Sequence, residues 1–204
     1  MAKDWKKVFQ DYGAIWVHDG HPKRPFALLT SGLWSDGFVN CTLITQYPSV
    51  IQEALNDIAI PSDKKIDWVI GSAMGAVTFA YAVGLKLGAR AGFTEKEGDA
   101  MKLSRFEVAK DATVLVVEDT ISTGGSTLKT IEGIKAAGVP EANILPYIVC
   151  LVNRSGSDTL GGREIKPLIK ANIKTWKPEE CTPAQKAAGA VRAKSHWADL
   201  TRAY

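Results

Sequence analysis

Residues 114–127 read VLVVEDTISTGGST, and this stretch decides how the surrounding chain folds. Its first four residues are all apolar, a short continuous run typical of a strand that is buried on both faces. Two adjacent carboxylates, Glu118 and Asp119, follow where that strand should end. A loop of hydroxyls and glycines then leads into a helical pattern over residues 128–137. The stretch therefore predicts a strand, a turn and a helix in succession.

The turn has the composition of an anion-binding site. Glycines let backbone N–H groups turn toward an anion, hydroxyls add donors, and the following helix adds its positive N-terminal end. The paired carboxylates can accept hydrogen bonds from a ribose diol, directly or through a bound metal. The stretch thus predicts a ligand that carries a phosphate and sugar hydroxyls, although similar turns also serve as ordinary helix caps. It is neither a Walker loop nor a dinucleotide fingerprint, because it lacks Gly-Lys-Ser/Thr and the G-x-G-x-x-G spacing.

Composition places the chain among ordinary globular proteins. Its 204 residues suit one domain with a sizeable core, and 46% of them are hydrophobic, as such a core requires. The net charge of +3 is too small to indicate nucleic acid or a membrane as a partner. Cys41, Cys150 and Cys181 are scattered without metal-ligand spacing, which argues against a disulfide framework or a zinc site and predicts a reducing cytoplasm.

Strand-like and helix-like segments alternate around the central stretch. Residues 66–70, 89–93 and 144–152 have strand patterns, and residues 76–87 form a helical pattern rich in small residues. This alternation predicts an α/β fold with a central, mostly parallel sheet flanked by helices. Ligands of such sheets bind outside the carboxyl ends of the strands. Three turns are expected to meet there: residues 71–75, 94–97 and 118–127.

The motif VLVVEDTISTGGST resembles the phosphoribosyl pyrophosphate (PRPP) binding motif of type I phosphoribosyltransferases. Further segments resemble the orotate phosphoribosyltransferases within that group. FALLTSG at residues 26–32 and SDGF at residues 35–38 resemble their base-covering region. Residues 95–106 resemble their mobile loop in a shorter form, and residues 176–181 resemble a tail of some relatives.

The resemblance implies one phosphoribosyltransferase domain over residues 1–204, with a small N-terminal hood. Residues 1–40 would contribute this base-covering hood, and residues 174–204 would form an irregular tail. It also implies a cytoplasmic homodimer that uses small molecules, with neither nucleic acid nor a membrane as a partner. Mg²⁺ would be bound mainly through PRPP, because this ion prefers oxygen ligands and retains several waters.

Roles for individual residues also follow from the resemblance. The catalytic residues would be Lys96, Lys102, Arg105 and Asp119, with the three cations stabilising charge on the departing pyrophosphate. The PRPP-binding residues would lie in the central motif and in a pyrophosphate loop: Glu118, Asp119, Thr120, Ser122, Thr123, Gly124, Gly125, Ser126, Thr127, Ser72, Ala73 and Met74. From the residues alone, the loop at 71–75 also fits a plain strand-to-helix turn, and residues 94–105 also fit a solvated charged hairpin.

The base would be contacted by four residues: Ser31, Gly32, Ser122 and Arg154. A guanidinium such as that of Arg154 pairs well with a planar carboxylate, which favours orotate as the acceptor. The implied reaction is transfer of the phosphoribosyl group to orotate, giving orotidine 5′-monophosphate and pyrophosphate. Trp34 stands where relatives often have a smaller or more polar residue, so a transferase for another nucleobase remains an alternative. A regulator that binds PRPP or nucleotides without catalysis is the other.

Overall fold

The computed structural model describes residues 3–61 and 64–203, which divide into two compact units. The terminal unit consists of Met1–Leu43 and Asn172–Tyr204, and the sheet unit consists of Ile44–Ala171. The expectation of a single domain with a hood stays a prediction. No helix in the described ranges combines the length and the hydropathy that crossing a membrane requires.

The helices and strands are short, with the longest helix spanning 12 residues. The helices are α1 (Trp5–Asp11), α2 (Thr42–Thr45), α3 (Pro48–Asp57), α4 (Val77–Leu87), α5 (Gly125–Ala136), α6 (Pro183–Ala188) and α7 (Trp197–Thr201), with 3-10 turns at Glu141–Asn143 and Pro178–Glu180. The strands are β1 (Ile15–Val17), β2 (Phe26–Leu28), β3 (Trp34–Ser35), β4 (Gly37–Val39), β5 (Trp68–Ser72), β6 (Arg90–Glu97), β7 (Ala100–Lys102), β8 (Val114–Ile121), β9 (Ile144–Asn153), β10 (Thr159–Leu160), β11 (Arg163–Lys170), β12 (Thr175–Trp176) and β13 (Ala190–Arg192).

The sheet unit is built on a seven-stranded sheet in the order β10-β11-β9-β8-β5-β6-β7. The five inner strands run parallel to one another, and the edge strands β10 and β7 pair antiparallel with β11 and β6. Strand β5 is buried throughout, and the first four residues of β8 are at most 1% exposed. Burial on both faces explains why these strands read as continuous apolar runs. The predicted α/β fold with a mostly parallel sheet is confirmed.

The connection from β8 to α5 is tighter than the sequence indicated. Strand β8 continues through both carboxylates to Ile121, and α5 begins at Gly125 instead of at residue 128. Gly124 turns the chain between them with φ +76°, a left-handed conformation that glycine adopts without a Cβ clash. The loop thus shortens to three residues between the strand and the helix.

The segment that resembles a mobile loop contains a β-hairpin, the alternative that its charged residues also fitted. Strand β6 continues to Glu97, and residues 95–97 pair antiparallel with β7. Strand β7 packs closely against α5. A Cβ on Gly133 of this helix would overlap the carbonyl oxygen of Met101. Met101 and Leu103 are buried. The absence of a side chain at one helix position therefore lets the hairpin backbone lie directly on α5.

The terminal unit holds a second sheet in the order β12-β3-β2-β13, beside the antiparallel pair of β1 and β4. One cluster in its core joins Trp16, Ala27, Ala193 and Leu200. Residues 174–204, predicted to be an irregular tail, contain β12, β13, α6 and α7. These elements are two to six residues long, too short to give a recognisable period in the sequence. The base-covering role of residues 1–40 stays a prediction.

Candidate active site

The pyrophosphate loop and the central motif meet because β5 and β8 are neighbouring parallel strands. Gly71 pairs with Val117, so Ser72 and Glu118 are the next residues at the carboxyl edge of the sheet. Ser72 Oγ donates a hydrogen bond of 2.5 Å to Glu118 Oε2. A Cβ on Gly75 would lie 2.7 Å from Asp119 Oδ2, so only glycine allows the loop to approach this carboxylate so closely.

A cleft of about 200 Å³ lies where these two loops meet. Its lining residues come from the two loops alone: Ser72, Ala73, Gly75, Glu118, Asp119, Thr120, Ser122, Thr123, Gly124, Gly125, Ser126 and Thr127. Eleven of these were predicted as PRPP-binding residues, and the structure brings them together. Met74, also predicted, does not line the cleft and is 82% exposed. Gly75 was not among the predicted residues, although its place as the closing glycine of GSAMG was a usable signal.

The start of α5 gives the cleft an end that is suited to an anion. Residues 125–127 form its first turn, and the first intrahelical bond runs from Leu128 N–H to the Gly124 carbonyl. Among the residues that the structure describes, no side-chain hydrogen bond caps this helix end. The N–H groups of a first helical turn and the helix dipole both favour a negatively charged ligand. Gly124 packs against Leu160 of β10, since a Cβ there would overlap that side chain.

The two adjacent carboxyl groups lie in different environments. Glu118 is 4% exposed, and its Oε2 also accepts a bond from Thr127 Oγ1 at 3.3 Å. Burial, followed by the charge of Asp119, raises the pKa of Glu118 to about 8. Asp119 is only partly buried, and its Oδ1 accepts a bond from Thr120 N–H at 2.7 Å. Asp119 is therefore the more accessible of the two acids.

The site offers few protein ligands for a metal ion. Within the described ranges, no group of three or more His, Cys, Asp or Glu side chains is placed to hold one. The cleft itself carries two carboxyl groups, Glu118 and Asp119. Oxygen donors of this kind suit Mg²⁺, which would then take its remaining ligands from a phosphorylated substrate and from water.

The hairpin of β6 and β7 starts beside the pyrophosphate loop, since Ala73 N–H donates to the Thr94 carbonyl at 2.8 Å. Two of its predicted catalytic cations are paired with acidic neighbours. Lys102 Nζ lies 2.5 Å from Glu97, and Arg105 binds Glu95 through two hydrogen bonds of 2.6 and 3.0 Å. Glu95 is 36% exposed and the other three side chains are more than half exposed, so these pairs are weak.

Lys96, the remaining cation of this segment, is exposed at the end of β6. No ion pair involves it in the described part of the chain. The catalytic roles of Lys96, Lys102 and Arg105 stay predictions.

The predicted base-binding residues fall in both units. Asn153 of β9 pairs with Ile121 of β8, and the Arg154 N–H donates to the Ile121 carbonyl at 2.8 Å. Ser122 follows Ile121 and Arg154 follows Asn153, so the two residues come directly after paired residues at the same edge of the sheet. Residues 31–32 lie in the terminal unit, in the turn between β2 and β3. The base-binding role of all four residues stays a prediction.

Comparison with known proteins points to one family, although no family profile matches the chain. The chain is 37% identical over 184 residues to orotate phosphoribosyltransferase of Caldicellulosiruptor bescii, covering 89% of this chain and 91% of that protein. It is 38% identical over 156 residues to the same enzyme of Caldanaerobacter subterraneus subsp. tengcongensis, covering 76% and 80%. The crystal structure of Aeropyrum pernix orotate phosphoribosyltransferase shares the fold, with a TM-score of 0.59 at 22% identity over 80% of this chain and 92% of that one. The chain belongs to the orotate phosphoribosyltransferase family.

Replacing Glu118 with Gln should change how stability depends on pH. With its pKa raised from 4.5 to about 8, folded wild-type protein keeps a proton that the unfolded chain has lost. Wild-type stability should therefore fall as pH rises through this window, by at most about 1.4 kcal/mol per pH unit. Glu118→Gln removes this contribution, so the variant should gain stability relative to wild type between about pH 5 and about pH 8. Urea denaturation at several pH values measures it, and a constant difference would contradict the burial argument.

Proposed function

We propose that this member of the orotate phosphoribosyltransferase family transfers the phosphoribosyl group of PRPP to a ring nitrogen of orotate, releasing pyrophosphate. The observation that carries the proposal is the polar cleft in which two anion-binding loops meet beside a pair of carboxyl groups. PRPP has the matching chemistry, with a phosphate at one end, a pyrophosphate at the other and a ribose diol between them.

Each part of PRPP has a matching part of the cleft. We assign the 5′-phosphate to residues 123–127, where the N-terminal end of α5 and several hydroxyls supply donors. The pyrophosphate belongs at residues 72–74, on the loop that ends β5. The ribose hydroxyls belong at Glu118 and Asp119, of which Asp119 is the more accessible.

Catalysis requires no protein nucleophile in this proposal. As the bond from the anomeric carbon to pyrophosphate breaks, positive charge grows on the ribose and negative charge grows on pyrophosphate. Asp119 would lie next to the ribose, where positive charge grows. Lys96, Lys102 and Arg105 would stabilise the departing pyrophosphate. Mg²⁺, bound mainly through PRPP oxygens, would neutralise part of the pyrophosphate charge. The loops contribute by aligning PRPP with the acceptor and by limiting access of water.

Orotate is favoured over other bases because of Arg154. Its backbone is fixed by the bond to Ile121 at the end of β8, next to Ser122 in the cleft lining. A guanidinium at this place would pair with the orotate carboxylate, which uracil and the purines lack.

A cytoplasmic location is part of the same proposal. All three cysteines are buried thiols, and buried thiols persist in a reducing compartment.

The activity can be tested by incubating the chain with PRPP, Mg²⁺ and a panel of bases while pyrophosphate release is followed. Release should occur with orotate and not with uracil, adenine or hypoxanthine. Asp119→Asn should lower kcat/KM for PRPP by about 10- to 100-fold, because a charged hydrogen-bond acceptor for the ribose is lost. The exposed Asp111, which precedes the same strand at its opposite end, provides the control variant Asp111→Asn with unchanged kinetics. Release with another base alone would redirect the proposal, and no release with any base would favour a binding protein.

Arg154→Gln should separate recognition of the base from binding of PRPP. We expect KM for orotate to rise by about 10- to 100-fold, since a charge-assisted bidentate contact is lost, while KM for PRPP changes little. Arg90, which is exposed at the start of β6, gives the control Arg90→Gln. Steady-state kinetics with each substrate varied in turn measure both constants. An unchanged KM for orotate would remove Arg154 from the base site.

We propose that a second copy of the chain covers the apolar face of α4. Tyr81 and Leu85 are four residues apart on this helix and are 66% and 61% exposed. Met74, which is 82% exposed, lies in the pyrophosphate loop three residues before α4 begins. Apolar side chains exposed as a group commonly mark an interface. A dimer through this face would make the pyrophosphate loop part of the subunit boundary.

The double variant Tyr81→Glu with Leu85→Glu should convert a dimer into a monomer in sedimentation velocity at micromolar concentration. Burying four carboxylates across a twofold interface would oppose association. Lys129→Glu, on the exposed side of α5, should leave the dimer intact. A monomeric wild-type chain, or a dimer that survives both substitutions, would contradict this interface.

A further inference from the structure

Strand β9 ends on a buried amide side chain. Asn153 is the last residue of this strand and is 4% exposed. Its backbone lies between two parallel neighbours, because it pairs with Ile121 of β8 on one side and with Lys170 of β11 on the other. The Asn153 carbonyl also accepts a bond from the Ala171 N–H at 2.8 Å. The residue before Arg154 is therefore fixed on both sides at the edge of the sheet.

The side chain of Asn153 turns back onto the chain that follows it. Its Oδ1 accepts two hydrogen bonds from Ser155, one from the backbone N–H at 3.0 Å and one from Oγ at 2.7 Å. Its Nδ2 donates to the Ser157 carbonyl at 2.7 Å. A bond from an Asn side-chain oxygen to the N–H two residues later defines an Asx turn, and Arg154 is the central residue of this one. We refer to residues 153–155 as the Asn153 turn.

The Asn153 turn constrains how the side chain of Arg154 can leave the backbone. The Arg154 N–H is bonded to the Ile121 carbonyl, and the next N–H, that of Ser155, is bonded to Asn153 Oδ1. The two peptide groups that flank Arg154 are thus both held, which restricts its backbone torsions. The rotamers open to a side chain depend on those torsions. A guanidinium forms a bidentate pair with a planar carboxylate only in a narrow range of orientations, so the turn bears directly on this contact.

We propose that Asn153 is a positioning residue for the base, which acts on the orotate carboxylate through Arg154. The inference rests on the proposed function, in which Arg154 pairs with that carboxylate. Arg154 makes the contact and the Asn153 turn directs it. An arginine that is already oriented loses less conformational freedom when the ligand binds, so the turn should strengthen binding of a base that carries a carboxylate.

Two nucleotides that differ by one carboxylate isolate this effect. Orotidine 5′-monophosphate carries the orotate carboxylate, and uridine 5′-monophosphate is the same nucleotide without it. Calorimetry with each nucleotide gives two Kd values, whose ratio measures preference for the carboxylate. Wild type should prefer orotidine 5′-monophosphate by about 10- to 100-fold, the range expected for a charge-assisted bidentate pair. Asn153→Ala should lower this preference by about 5- to 10-fold and leave the Kd of uridine 5′-monophosphate within about twofold of wild type.

Two further variants separate positioning from damage to the fold. Asn153→Ser differs from Asn153→Ala by one oxygen atom, which can accept the Ser155 N–H in the equivalent serine turn. Its preference should therefore stay within about threefold of wild type. Asn143 directly precedes the opposite end of β9, and its Nδ2 donates to the Lys110 carbonyl at 2.8 Å. Asn143→Ala removes a bond of the same kind and should leave both Kd values unchanged. Thermal melting shows whether each variant is folded.

Combining Asn153→Ala with Arg154→Gln tests whether Asn153 acts through Arg154. Arg154→Gln alone should remove most of the preference for orotidine 5′-monophosphate. In that background Asn153→Ala should change the remaining preference by less than about twofold, because there is no guanidinium left to direct.

The contrary outcomes are distinct. If the losses from Asn153→Ala and Arg154→Gln multiply, or if Asn153→Ala weakens both nucleotides equally, Asn153 does not act through Arg154 and the inference is wrong. It is also wrong if Asn153→Ser is as impaired as Asn153→Ala. A wild-type chain that binds both nucleotides equally would remove the Arg154 contact on which the inference rests. A wild-type chain that releases no pyrophosphate from PRPP with orotate would contradict the proposed function itself.

Discussion

The parallel pairing of β5 with β8 is the constraint on which the active site depends. Both strands are buried, and a slip of one residue would turn each side chain to the opposite face of the sheet. With Gly71 opposite Val117, the next residues are Ser72 and Glu118, which bond to each other. Gly71 also lets the turn into α4 lie close to β5, because a Cβ there would lie 2.8 Å from the Ala76 carbonyl oxygen. Packing of the apolar core thus determines which polar groups meet at the sheet edge.

The ionisable groups of the cleft and of the hairpin differ in how firmly protein partners hold them. The buried carboxyl group of Glu118 is bonded on both oxygens, whereas that of Asp119 is nearer to solvent. On the hairpin, Lys102 and Arg105 are held by acidic neighbours in pairs that are exposed and therefore weak. A multiply charged ligand such as pyrophosphate can compete for these cations at small cost. Buried contacts shape the cleft, and exposed contacts can rearrange around the substrate.

The sequence predicted the parts of the site that depend on local patterns. The apolar run of β8, the hydroxyl-glycine turn and the helical pattern after it lie within residues 114–137, so the strand, the turn and the resemblance to type I phosphoribosyltransferases followed from this one segment. Contacts between distant residues were not accessible in this way. The burial of Glu118 depends on the pairing of its strand with a strand about 46 residues earlier in the chain. The position of the hairpin depends on the close approach of the Met101 carbonyl to Gly133, where a side chain would overlap it. The strands and helices after residue 174 are too short to carry a period.

The most direct test of this account is a crystal structure of the chain with PRPP and Mg²⁺. The account predicts the 5′-phosphate at the first turn of α5, the pyrophosphate at residues 72–74 and the ribose diol at Glu118 and Asp119. A PRPP molecule bound elsewhere, or one bound here with its ribose hydroxyls turned away from both carboxyl groups, would contradict it.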